Sequence, residues 1–401
     1  MSYTKSPPSF TLPGVKSSDT HSFRVPNVPK VTYQDPQSIS TNYAWSLPVD
    51  FVLPRTLGKV LDMVLQIDVS VSGSGSCTFP PTPYWFERLE TSIGGSAPIE
   101  TVNKDELFME SLMFLNSQDF QTVAPTVNIN ADGTFNSFAM TSGRYFLPLW
   151  ANCLNTAQPY LKGFNSEWKL RFVLSNNQPN TVLTGTSTVT VTGLRLMIIE
   201  ATLAPEIELR LAKQHQVGIT YNTVNRVRHV DTKAITAADN EFTLTTFGNE
   251  SAGMLFYIRA ADNSGDYSKV GKRAGASYVN MRDAQGNPYY ATNLDSQFNL
   301  AYLQPWSIAK EPIQGVGSTN TCLYNYLVPF SAHLGAVLED GRDLGAYQLS
   351  GREKAVMTLT SSDVSAMTTA VGSNPNFVAV SYDYIRIVVK NGQFKVLYNR
   401  G

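Results

Sequence analysis

Four histidines, three cysteines and a few grouped carboxylates carry most of the catalytic or metal-binding chemistry this sequence could offer. His21, His215, His229 and His333 include no H-x-x-x-H or H-E-x-x-H pair, the spacing that sets two ligands on one helix face. A zinc site needs three or four convergent groups, so none is expected, even if His215 and His229 meet near mid-chain. Cys77, Cys153 and Cys322 form no C-x-x-C motif and, being odd in number, cannot all pair within the chain. They read as small core residues of a protein made in a reducing compartment. Cys153 or Cys322 beside a histidine would make a nucleophile pair, but no local motif supports one.

The carboxylates are weighed in the same way. Glu339, Asp340 and Asp343 surround Gly341 and suit a calcium-holding loop, yet their spacing follows no known ligand pattern. A solvated turn in which Arg342 neutralises a neighbour is the preferred reading. Glycoside hydrolysis needs two convergent carboxylates, and Glu87, Glu90 and Glu100 lie near one another in the chain. Glu87 and Glu90, however, stand three apart in a strand-like run and are expected on opposite faces. Gly73-Ser74-Gly75-Ser76 follows a strand as a phosphate loop would, but Pro80 and Pro81 occupy the place of the helix N-terminus that would hold the anion. It reads as a loop joining strands. The sequon Asn249-Glu250-Ser251 has meaning only in a secreted protein. No catalytic, metal or cofactor residue is therefore expected.

The elements that would carry these residues are mostly strands. From Val60 to Ser72 the odd positions Leu61, Met63, Leu65, Ile67, Val69 and Val71 alternate with mostly polar even ones, which gives a long strand with one dry face. Trp168, Leu170, Phe172 and Leu174 repeat the pattern, as do Phe394, Val396 and Tyr398. In Val189, Val191, Leu194, Leu196 and Ile198 the apolar phase slips by one residue at Gly193, as an inserted bulge would make it. A similar slip separates Tyr382 and Tyr384 from Ile385, Ile387 and Val389. Clusters of Gly, Pro, Asn and Ser punctuate the runs, as an antiparallel all-β protein requires. Only two helices are expected. One follows Asn103, with Asp105 and Glu106 in its first turn, and the other spans Pro205 to His215 with proline at its start.

Composition bounds the rest. With 401 residues, 42% hydrophobic and 16% charged, the chain can bury one large core or two ordinary ones. The formal charge of -1 argues against a surface that tracks nucleic acid, and no sequence-specific nucleic-acid binding is expected. The first ten residues lack the apolar core of a secretory signal. The best apolar stretch, Tyr326 to Leu338, falls short of the roughly 20 residues that span a bilayer. Residues 1–36 are proline-rich and mildly basic and read as an extended arm. The two halves of the remainder look alike when laid over one another: Tyr145-Phe146-Leu147-Pro148-Leu149 echoes Tyr326-Leu327-Val328-Pro329-Phe330, and each half closes on a similar strand. The expected organisation is an arm (1–36), a first sandwich (37–204), a linker with a short helix (205–218) and a second sandwich (219–401).

Tyr84-Trp85-Phe86-Glu87-Arg88-Leu89-Glu90-Thr91-Ser92-Ile93-Gly94-Gly95-Ser96-Ala97-Pro98-Ile99-Glu100 is a strand, a Gly-Gly turn and an Ile-acidic pair leading to a helix. Tyr145 to Trp150 then runs through a loop at Pro159 into Trp168-Lys169-Leu170-Arg171-Phe172. These segments resemble the major capsid proteins of the double jelly-roll type, found in tailless icosahedral double-stranded DNA viruses such as polinton-like viruses, virophages and the large DNA viruses of algae. The resemblance covers roughly residues 83 to 174, about a quarter of the chain. It implies an all-β fold of two consecutive eight-stranded antiparallel jelly-roll sandwiches with a few short helices in loops. It further implies a non-enzymatic shell protein of the virion, assembled as a homotrimer that presents six lobes and tiles as a pseudo-hexagonal capsomer. The implied partners are neighbouring capsomers, a penton protein and minor capsid proteins, with an internal lipid membrane as an option. No cofactor is implied. Asp262 to Asn293 is expected as an exposed loop, at trimer contacts or the outer surface. A rival reading, a carbohydrate-binding β-sandwich spike or adhesin, expects exposed aromatic residues in loops.

Overall fold

The computed structural model describes residues 29–35, 43–78, 80–114, 127–129, 135–137, 139–149, 153–175, 181–201, 203–261, 278–289, 294–295, 303, 306–307, 325–340 and 343–398. His21, Cys322, Gly341, Arg342, most of residues 1–36 and most of 262–293 lie outside them. The side chains of Glu339 and Asp340 are likewise not described.

The first half contains β1 (Pro29–Gln34), β2 (Pro48–Leu53), β3 (Lys59–Thr78), β4 (Phe86–Ile93), β5 (Glu100–Asn103), helix α1 (Lys104–Phe114), a small hairpin of β6 (Val127–Ile129) and β7 (Phe135–Ser137), then β8 (Gly143–Pro148), α2 (Cys153–Ala157), β9 (Trp168–Leu174) and β10 (Thr181–Ala201). Helix α3 (Pro205–Val217) follows. The second half has β11 (Ile219–Thr232), β12 (Asp239–Thr243), β13 (Glu250–Arg259), β14 (Tyr278–Arg282), β15 (Leu294–Asp295), β16 (Asn325–Pro329), α4 (Leu334–Asp340), β17 (Tyr347–Gln348), β18 (Lys354–Thr358), α5 (Ser361–Val371), β19 (Asn376–Lys390) and β20 (Gln393–Tyr398).

The sheets show the same plan twice. In the first half the strand orders are β1-β10-β3-β8 and β2-β9-β4-β5; in the second they are β11-β19-β13-β16 and β12-β18-β14-β15. Lettering the eight principal strands of each half B to I in chain order, both halves read B-I-D-G and C-H-E-F, the two four-stranded sheets of a jelly roll. The echoing segments at Tyr145 and Tyr326 are the two G strands, each paired with its D strand. The two closing strands are the two I strands. All these pairings are antiparallel, and among the described strands no pairing crosses from one half to the other.

Alternation produced the first core. Met63, Leu65, Ile67 and Val69 from β3 and Trp168, Leu170, Phe172 and Leu174 from β9 are all buried in it. The slip at Gly193 is a bulge: Val191 pairs with Val69 and Gly193 with Asp68, leaving Thr192 as the extra residue. The second slip has another cause. Along β19 the register with β11 runs unbroken from Asn376 to Val389, and the apolar phase changes because the strand changes neighbours. Val378, Val380, Tyr382 and Tyr384 join a cluster between the halves, whereas Ile385, Ile387 and Val389 join the first core. The irregularity in this sheet lies on β13, between Ser251 and Met254.

Several expectations are corrected. Gly73 to Ser76 is not a connecting loop: β3 continues through it, with Gly73 paired to Ser187 and Gly75 to Gly185 of β10, so the two strands form an outlying ribbon. The clustered small residues are there because Gly73 and Gly185 have positive φ, and a Cβ on either would lie about 2 Å from a facing carbonyl oxygen. β1 falls inside the segment read as an arm and is the first B strand, its short Val31-Thr32-Tyr33 core hidden among prolines. Asp262 to Asn293 is not one loop, since β14 is an E strand whose Met281 is fully buried. Three further helices are present among the described residues. α5 is signalled by a capping box, Thr360 with Asp363, and the Ala336 N–H at the start of α4 donates to His333 Nδ1 at 3.0 Å.

Candidate functional site: the ionic seam between the sandwiches

The described residues gather no group of three or more His, Cys, Asp and Glu side chains as metal ligands. Their most concentrated chemistry is a buried ionic cluster where the two halves meet. β5 and α1 supply the acids. Asn103 caps α1: its backbone N–H donates to Glu106 Oε2 at 2.8 Å, and its side chain also donates to that carboxylate. This cap holds Asp105 and Glu106 in the first turn, with Glu110 one turn later. All three are buried, as is Glu100.

The cations come from the second half. Arg226 of β11, 2% exposed at its side chain, donates from Nε and Nη2 to Glu110 at 2.5 and 2.9 Å and from Nη1 to Glu100. Arg228, two residues on, pairs with Glu106 at 3.4 Å and Asp105 at 3.8 Å. Arg259 of β13 donates to Asp105. Hydroxyls complete the set: Tyr84 donates to Asp105 at 3.1 Å and Tyr382 to Glu110 at 3.3 Å. Four carboxyls therefore face three guanidinium groups; the acids and Arg226 are buried, while Arg228 and Arg259 reach the edge of the cluster.

Burial is the dominant electrostatic influence. It pushes the Glu100 carboxyl above its ordinary range despite Arg226 and the Cys153 N–H that donates to it. Glu106 is raised for the same reason, against Arg228. For Arg226 burial opposes the charge, but Glu110 and Glu100 outweigh it and leave the guanidinium firmly protonated. Such a network favours one geometry between the two halves, because a shifted packing that kept these charges out of water would leave some without partners.

Around the seam, uncharged contacts repeat the link. Thr156 of α2 donates to the Leu338 carbonyl of α4 at 2.7 Å, and Thr223 donates to the Cys153 carbonyl at 3.2 Å. α2 and α4 both follow the G strand of their own half, so duplicated elements meet at the interface. Lower down, the Tyr160 N–H donates to the Tyr221 hydroxyl, which also bonds His215 Nε2 at 3.0 Å. Gly163 leaves room for that ring; a Cβ there would come 2.2 Å from it.

The residues singled out for chemistry are dispersed. Glu87 bonds Lys104, Glu90 bonds Arg88, and Glu100 lies in the seam, so the three carboxylates go to three different cations. A bulge at Glu87 breaks the alternation that the sequence argument assumed. His215 and His229 do not share partners: His229 Nδ1 meets the Thr246 hydroxyl at 2.9 Å. Cys77 and Cys153 are buried and free, and burial raises the Cys153 thiol well above its ordinary value, making it a poor nucleophile. Asn249 of the sequon donates to buried Asp383 at 2.9 Å. Sequence reasoning missed the seam itself. Its one local signal is the run of acids after Asn103, whose spacing alone indicates helix capping and nothing further.

No protein-family model matches the sequence, and no curated protein matches it. Solved structures do match. VP54 of PBCV-1, fitted into a cryo-EM reconstruction of the virophage Sputnik, superposes with a TM-score of 0.69 at 13% identity over 93% of this chain and 97% of that one. The Faustovirus major capsid protein gives 0.60 at 10% identity over 91% of each chain. The STIV major capsid protein gives 0.53 at 11% identity over 88% of this chain and 96% of that one. The chain has the double jelly-roll fold. Coverage near the full length of each double jelly-roll neighbour means that both sandwiches are matched together. The likeness first seen over residues 83–174 thus extends to about nine-tenths of the chain.

Proposed function

We propose that this chain is a major capsid protein that forms homotrimeric, pseudo-hexagonal capsomers in the shell of an icosahedral virus. The observation that carries the reading is the repeated B-I-D-G and C-H-E-F strand order. Two sandwiches of one plan, locked at a fixed angle, let three chains present six similar lobes, and such a block tiles a closed lattice. Likeness to capsid proteins over nearly the full length of both chains supports it. The lobes are residues 29–204 and 219–401, with α3 as the connection. The arm expected over residues 1–36, of which 1–28 lie outside the described residues, is assigned to clasping a neighbouring capsomer or a lipid layer beneath the shell, and penton and minor proteins complete the lattice.

Purified protein should run at the mass of three chains and show hexagonal outlines in negative stain. A monomer with no hexagonal particles at any protein concentration would exclude the capsomer and return the spike or adhesin reading. Removing residues 1–28 should leave the trimer intact and impair shell assembly; normal assembly would exclude the clasp.

A further inference from the structure

The contact between the halves is one-sided. Leu327, Leu255 and Val380 lie opposite one another across strands G, D and I of the second half, on the outer face of its B-I-D-G sheet. They are buried with Tyr84, Phe108 and Met109 of the first half, the last two from α1, which connects strands F and G there. The matching outer face of the first B-I-D-G sheet is left partly open. Tyr33, Met197, Val64 and Pro148 form one rung across its four strands. Phe146, the counterpart of Leu327 in the echoing G segments, adjoins that rung. Tyr33 is 53% exposed and the other four are half-buried. The charges at the margin are satisfied within the face, Arg195 by Asp35 and Arg144 by Asp68, each at 2.9 Å. What the patch lacks is an apolar cover.

We propose that this face is covered by the second half of another copy, through the connection between strands F and G of that half. The two halves share one plan. The relation that sets the first F–G connection on the second B-I-D-G sheet, applied once more, sets the second F–G connection on the first B-I-D-G sheet of the next chain. A contact of this kind is heterologous, and it closes when the rotation completes a ring. Three chains then give six lobes and six like contacts, three inside chains and three between them. A separate observation marks the other side of the contact. Trp306 lies between β15 and β16, the second F–G connection, and is 52% exposed. Tyr33 and Trp306 are the two most exposed aromatic side chains among the described residues, so each side of the contact presents one to solvent. Residues 1–28 suit the face less well, because Lys5, Lys16 and Arg24 against Asp19 make them basic, whereas the patch is apolar and its marginal charges are already paired. The proposal rests on the capsomer reading and assigns the contact that builds its trimer.

The test uses the full chain. Phe146→Glu with Met197→Glu puts two carboxylates on the outer face and should weaken trimer association on the order of a hundredfold, read by sedimentation, with the parent's circular dichroism retained. A second measurement decides the matter if that variant fails to fold. A chain carrying both Met197→Cys and Trp306→Cys, treated with a short bis-maleimide, should give covalent dimers and trimers on a denaturing gel, while each single variant stays monomeric there. Trimers as stable as the parent's in the glutamate variant overturn the proposal, as does cross-linking of the double variant no greater than that of the singles. Cross-linking by Met197→Cys alone would mean that like faces meet, and would overturn it too. If Met197→Cys reacts with a maleimide only after residues 1–28 are removed, the face belongs to the arm. A parent that forms no trimer removes the capsomer reading and this contact together; a parent trimer with an inert double variant removes the contact alone.

Discussion

Arg226 is the cation that Glu100 and Glu110 share, and its removal should be costly out of proportion to its size. Arg226→Ala leaves two carboxyls in a dry seam and is expected to lose about 3–5 kcal/mol in chemical denaturation. Arg226→Lys should recover only part, because a single ammonium cannot reach both acids with a planar fork. Glu106 gives a second prediction, with a definite sign. Burial holds Glu106 above its ordinary 4.5 in the native state, so its contribution favours folding below pH 4.5 and is lost as pH rises through the raised native value. Glu106→Gln keeps the cap to Asn103 and removes that loss. Denaturation midpoints of variant and parent should lie close together near pH 4 and separate in favour of the variant by pH 7.5. None of this was legible from spacing: Arg226 lies 126 positions from Glu100, and local periodicity carries no information about pairing at that range.

At the scale of elements, legibility followed burial. Strands with one dry face, such as β3 and β9, declared themselves by period 2, and a one-residue slip located the bulge at Thr192. β13 and β19 were harder, because their sheet is covered by its own partner sheet on one side and by the first half on the other. Runs such as Phe377-Val378-Ala379-Val380 are buried throughout, and the alternating signal vanishes. Glycine misled in the opposite direction, since Gly73, Gly75 and Gly185 sit inside paired strands. Gly185→Ala tests that geometry: φ is +68° and the new Cβ would lie 2.1 Å from the Ser74 carbonyl oxygen. A loss of about 1–3 kcal/mol is expected in denaturation, whereas a free loop would tolerate alanine.

For the whole molecule, the duplicated plan was visible as a weak echo between halves, but the way the halves lock together was not. The cluster between them joins Tyr84, Phe108 and Met109 of the first half to Leu255, Tyr257, Val380 and Tyr382 of the second. Residues 219–401 expressed alone would therefore uncover an apolar sheet face together with Arg226 and Arg228. That fragment should aggregate or bind a hydrophobic dye strongly, and adding the first half should reduce both signals; a soluble, dye-silent fragment would show that each sandwich is self-sufficient.

β19 lies between β11 and β13, although it follows both in the chain. During synthesis the second sandwich has its first and third strands ready with nothing to join them until residues 376–390 emerge. Lobe closure therefore waits until residues 376–390 have been made, and a ribosome that stops before them releases a chain with an open sheet edge, which proteases and chaperones can recognise.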